Sequence, residues 1–230
     1  SGIVFLVLLP LCSRYLVNPP AGAQVPGAAK AAAADAVSVD FSCARKTPQF
    51  YLLAAILFIN VTAGIALISN LSPFAQAQAG LTPIAAGTLV FTASLFNGFG
   101  RIFWAGLSDR IGRKRTFLIM LGSQVPMLFL LPAVSNAAVF ALLCSYILFC
   151  YGGGFGTMPA FAAESFGPKY VGGIYGPILL AWGIGGAVGP MLMEAVKTAT
   201  GGFAAALYTA AGLLAAGFAL TAFYRKPKLA

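Results

Sequence analysis

The chain has 230 residues, of which 60% are hydrophobic and only 8% charged, with a mean hydropathy of +0.89; a soluble domain carries about 25% charged residues. Water is therefore excluded as the solvent for most of its surface, and the length is read as a bundle of helices in lipid. A net charge of +9 raises the question of nucleic acid, and the distribution argues against it: the basic residues form no stripe with interleaved aromatics but sit in short connections between apolar runs.

In chain order, residues 1–17 open on an apolar stub over 2–11 that is too short to cross about 30 Å of hydrocarbon. It reads as the end of a truncated transmembrane helix. A signal peptide would place its basic residue before the apolar run, whereas Arg14 follows it. Residues 18–48 read as a flexible cytoplasmic linker, with Pro19-Pro20, Pro26-Gly27, an alanine run and few large apolar residues to offset the entropy of ordering.

Residues 49–230 then hold six apolar runs of spanning length, at about 50–69, 84–104, 116–134, 137–161, 172–193 and 203–224. Turn and cap chemistry separates them at Leu71-Ser72-Pro73, Leu81-Thr82-Pro83, Ser135-Asn136, Gly167-Pro168 and Thr200-Gly201-Gly202. The expected fold class is an all-α membrane protein with a six-helix bundle. Alternating the spans from the linker puts 12 of the 14 basic residues on one side. The positive-inside rule makes that side cytoplasmic and predicts a multi-pass protein of the inner membrane with linker and C-terminus inside and membrane lipid as its surroundings. The spacing of Gly185 and Gly189 predicts a close helix-packing face.

The residues that could do chemistry are few. The chain has no histidine, and its four cysteines form no CxxC pair, so neither a metal site nor a cofactor is expected and Cys144 and Cys150 are read as packing residues. No intramembrane carboxylate pair or activated nucleophile is present, which argues against an enzyme. Arg101 is the one charge inside a predicted span, where an arginine costs at least about 2.5–3.5 kcal/mol and so faces a cavity or a partner. It is also about 7 Å of helix rise from Gly106, close enough to snorkel to the membrane surface.

The connection Gly106-Leu107-Ser108-Asp109-Arg110-Ile111-Gly112-Arg113-Lys114-Arg115 is more specific than an orienting loop requires. Gly106 would permit close approach, Gly112 a tight turn, and Asp109 could cap a helix or pair with an arginine. This string resembles the cytoplasmic loop motif of the major facilitator superfamily. Its position after the second full span fits the second half of such a transporter, which implies a missing N-terminal half as partner, a twelve-helix whole and transport by alternating access.

The strings Asn60-Val61-Thr62-Ala63-Gly64, Phe96-Asn97-Gly98-Phe99-Gly100-Arg101 and Pro159 to Lys169 are similar to the oxalate/formate antiporter family and its monocarboxylate-carrier relatives. The resemblance implies a small organic anion as substrate, such as oxalate, formate or a monocarboxylate. It nominates Arg101, Asn97, Trp182, Asn60 and Gln76 for the substrate site, and Gly106, Asp109, Arg110, Gly112, Arg113 and Arg115 for a conformational loop. Trp182 stands where the oxalate carriers place a lysine, leaving one intramembrane cation. With no acid mid-span, exchange is favoured; a proton-linked monocarboxylate symporter is the second reading, and a non-transporting membrane sensor or assembly subunit is the reading of another class.

Overall fold

The computed structural model describes residues 10, 11, 13 and 38–227; the truncated-helix reading, most of the linker reading and Lys228 lie outside them. The chain divides after Ala36, and the helical bundle belongs to the unit that begins at Val37. A short helix α1 (Phe41–Ala44) is followed by six long ones: α2 (Pro48–Ala79), α3 (Pro83–Ile111), α4 (Arg113–Leu130, with a 3-10 turn over Leu131–Ala133), α5 (Ala137–Phe166), α6 (Val171–Thr200) and α7 (Phe203–Phe223). All six are long and apolar enough to cross a membrane.

The ends follow the expected chemistry with one correction. Ser72 and Pro73, expected to break the chain, lie inside α2, which ends at Gly80 with φ 62°. Membrane helices tolerate a proline where neighbours satisfy the freed backbone groups. Thr82 caps α3 by accepting from Ala85 N at 3.3 Å, and Asn136 caps α5 by accepting from Ala138 N and Val139 N. Gly112, at φ 90°, turns α3 into α4 in a single residue.

The packing runs in pairs, α3 along α5, α2 along α6 and α4 along α7, with α2 and α5 the most buried helices and α3 and α6 the most exposed. Glycine makes this possible. A Cβ at Gly152 would lie 1.9 Å from Asn97 O, one at Gly100 would lie 2.0 Å from Phe149 O, and one at Gly189 would lie 2.5 Å from Thr62 O. The α3–α5 and α2–α6 seams are thus backbone against backbone, as small-residue packing in lipid requires, and the Gly185/Gly189 face does pack.

The short connections make successive helices antiparallel, so the basic turn at Gly112, the Gly167–Tyr170 connection and the end of α7 share one face of the bundle. Contacts across that basic end agree: Val39 N donates to Phe166 O at 3.0 Å, and Lys114 Nζ donates to Ala222 O and Tyr224 O at 2.7 and 2.8 Å. Residues 38–47, which composition assigns to the linker, are held there by the Val39 bond and by Asp40, whose carboxylate caps α1. At the opposite end, Gln78 Nε2 donates to Pro132 O at 2.6 Å.

Candidate functional site

Arg101 lies well inside α3. The helix does not stop at Gly106 but continues to Ile111, ten residues on, which places Arg101 about 15 Å from the basic end. Its guanidinium does not stretch towards that end. It rests over the ring of Phe155 on α5, 4.8 Å from the centroid, and Phe155 is itself eleven residues, about 16 Å, from the end of its helix. Among the described residues no carboxylate lies within salt-bridge distance of Arg101. Snorkelling is therefore a poor account of this side chain, and an exposed fork of N–H donors is left facing away from the packed interior.

Aromatic side chains frame it. Phe155 meets Trp182 of α6 edge to face at 6.0 Å, and Trp182 is 43% exposed. Tyr151, one turn before Phe155, lays its ring against Gly64 of α2, and Tyr175 lies two turns before Trp182 on α6. The Tyr175 hydroxyl is buried without a hydrogen-bond partner among the described residues. Helices α3 and α5 thus set one cation on the Phe155 ring, and α6 adds Trp182 beside it. Such a surface can clamp a planar anion through the guanidinium fork and shield it between rings.

The other nominated residues fall differently. Asn97 is on α3 one turn from Arg101, but its Nδ2 donates to Leu148 O on α5 at 3.2 Å, so its amide pins the seam. Asn60 is 1% exposed and donates to Tyr151 O at 3.2 Å, fastening α2 to α5, while its Oδ1 is buried without a partner among the described residues. Gln76 sits in the last turns of α2 and bonds Ser72 locally, sixteen residues or about 24 Å from Asn60. The structure does not bring it to Arg101. Sequence reasoning does not single out Tyr151, Phe155 or Tyr175. Their only signal is positional: Tyr151 and Phe155 are one turn apart on α5, and Tyr175 and Trp182 two turns apart on α6.

The loop motif forms a charge cluster at the basic end. Asp109, in the last turn of α3, pairs with Arg113 rather than capping a helix. Arg113 also donates to Ser108 Oγ, lies 3.5 Å from Ala105 O, and places Nε 3.6 Å from Glu164 Oε2 at the end of α5. Its side chain is only 15% exposed, whereas Arg110 and Arg115 are open to solvent. Gly106 is not pressed by any described residue, since a Cβ there would meet nothing within 4 Å. No three His, Cys, Asp or Glu side chains converge among the described residues.

The model of the Major Facilitator Superfamily matches residues 1–190. The chain belongs to the major facilitator superfamily, a family of transporters rather than enzymes. It is 31% identical over 183 residues to the oxalate:formate antiporter of Oxalobacter formigenes, covering 77% of this chain and 43% of that one. It is 35% identical over 86 residues to apicoplast pyruvate carrier 1 of Toxoplasma gondii, covering 36% of this chain and 16% of that one. The crystal structure of the E. coli fucose:proton symporter matches with a TM-score of 0.74 at 18% identity, over 98% of this chain and 54% of the symporter, and shares the fold. The chain thus spans about half the length of the relatives it matches most fully.

Proposed function

We propose that this chain is the C-terminal six-helix half of a secondary transporter that moves small carboxylates by alternating access, and that Arg101 anchors the carboxylate. The observation that carries this is an arginine about 15 Å inside the bundle, with no acid within salt-bridge distance among the described residues, resting on Phe155 beside Trp182. Holding such a charge at that depth in a membrane is costly unless it serves a ligand or a partner. Two relatives carry carboxylates in their names, oxalate and formate in one and pyruvate in the other, which supports the same substrate class.

Exchange is the favoured mode. Among the described residues the acids lie towards helix ends: Asp109 and Glu164 at the basic end, Glu194 six residues from the far end of α6 and paired with Lys197 at 3.0 Å. Exchange of one anion for another needs no protonatable group along the path. In this reading the missing N-terminal half supplies the facing wall of the cavity, the basic end is cytoplasmic, and the protein resides in the inner membrane.

The test is counterflow in proteoliposomes containing the full-length protein. Labelled carboxylate should enter only against internal carboxylate, and the corresponding neutral amides should neither enter nor drive exchange. Absence of counterflow for every small carboxylate tried would favour a non-transporting sensor, and uptake that follows an imposed proton gradient without internal anion would favour symport.

A further inference from the structure

The tight α3–α5 seam occupies only part of the two helices. From Asn97 towards the basic end the backbones touch through Gly100, Gly152 and Gly156. Towards the opposite end the helices part, and a cleft of about 600 Å³ opens between them. Ala85, Thr88 and Thr92 form one wall, and Ala138, Ala141 and Leu142 the other. A smaller hollow of about 240 Å³ continues it, ending on Phe96 and Phe149. Two wall hydroxyls are turned to their own helix, Thr88 Oγ1 donating to Ile84 O at 3.0 Å and Thr92 Oγ1 to Thr88 O at 2.9 Å, and Ser145 is the one hydroxyl of the α5 wall. What the cleft presents is almost all hydrocarbon.

We propose that this cleft binds one acyl chain of a phospholipid from the leaflet opposite the basic end. Shape favours a chain over a helix. Eleven residues separate Ala85 from Phe96, and eleven separate Ala138 from Phe149, so each wall is about 16 Å long. Half of a hydrocarbon core of about 30 Å is about 15 Å, so the cleft has the depth of one leaflet and closes where the chain of such a lipid ends. An α-helix of that length and about 10 Å diameter would occupy about 1,200 Å³, twice the space. Transfer from bulk lipid brings no hydrophobic gain, so the selectivity comes from dispersion contacts in a void that is otherwise unfilled. The bound chain wedges α3 from α5 beyond their crossing. None of this depends on which solute is carried.

The full-length protein should be reconstituted in nanodiscs containing a phosphatidylcholine with a diazirine near the end of one acyl chain, and the photoadducts located by mass spectrometry. Adducts should concentrate on Phe96, Leu142 and Phe149 over Phe218, an exposed residue on the far helix α7. Ala141→Phe fills the cleft and should cut those adducts about tenfold, equivalent to about 1.4 kcal/mol, with α7 labelling unchanged. The smaller Ala141→Leu gives an intermediate loss and covers the case in which the phenylalanine variant does not fold. Equal labelling of cleft and α7, insensitivity to both variants, or crosslinking of a photoreactive residue at Thr92 to another polypeptide segment in place of lipid would each overturn the proposal.

Discussion

Replacing Gly152 by alanine adds one methyl group where α3 and α5 have no room for it. The new Cβ would lie 1.9 Å from Asn97 O, and ordinary contact begins near 3.4 Å, so the helices must separate by about 1.5 Å. That shift carries the Asn97 Nδ2 to Leu148 O bond, now 3.2 Å, out of range. Overpacking costs about 1–3 kcal/mol and an interhelical hydrogen bond in a membrane protein about 0.6, against a helix-propensity gain of about 0.5–1 kcal/mol for losing a glycine. Gly98→Ala, on the neighbouring helix but in open space, keeps only the gain. The two variants of the full-length protein should therefore differ by about 1.6–3.6 kcal/mol, or about 3–14 °C in Tm at 2–4 °C per kcal/mol. Thermal unfolding in mild detergent, followed by size-exclusion, measures this directly. If Gly152→Ala melts within about 1 °C of Gly98→Ala, the backbone-to-backbone seam is wrong.

Asp109→Asn removes an ion pair whose carboxylate is 65% exposed, worth less than about 1 kcal/mol to stability, and a loop latch predicts that exchange slows far more than equilibrium substrate binding weakens; a normal rate at normal expression would dismiss the latch. Lys114→Met frees the carbonyls of Ala222 and Tyr224, and amide hydrogen exchange should accelerate over residues 222–226 while the rest of α7 stays protected. Single cysteines at Gln78 or Asn136 should react with an impermeant maleimide from outside, and those at Lys114 or Lys169 only from inside, as the distribution of basic residues requires.

The six spans are legible in the sequence because lipid leaves few options: long apolar runs, basic connections and glycines at Gly112, Gly167 and Gly201, all of which have positive φ. Pro73 misleads because the rule that proline breaks a helix is written for water, and α2 runs through it to Ala79. Arg101 is visible as a charge in hydrocarbon, but which way it points is not. Gly106 looks like the end of its helix, while the structure carries α3 five residues further and lays the guanidinium on Phe155. Asn97 and Asn60 are nominated for the substrate site by strings that resemble the oxalate/formate antiporter family; both direct an amide donor to a carbonyl of α5. The ring under Arg101 escapes sequence reasoning because Phe155 is one among 27 Tyr and Phe residues, and only the packing of α5 against α3 and α6 selects it.

Arg101→Lys in the full-length protein tests the central claim most directly, since it keeps the charge and the depth but loses the planar fork. Carboxylate exchange would be measured in proteoliposomes at matched protein content, with thermal stability checked in parallel. A carboxylate anchor predicts exchange lowered at least about tenfold, the loss of roughly one charge-assisted hydrogen bond, with Tm unchanged. Wild-type exchange kinetics in Arg101→Lys would contradict it and remove Arg101 from the site.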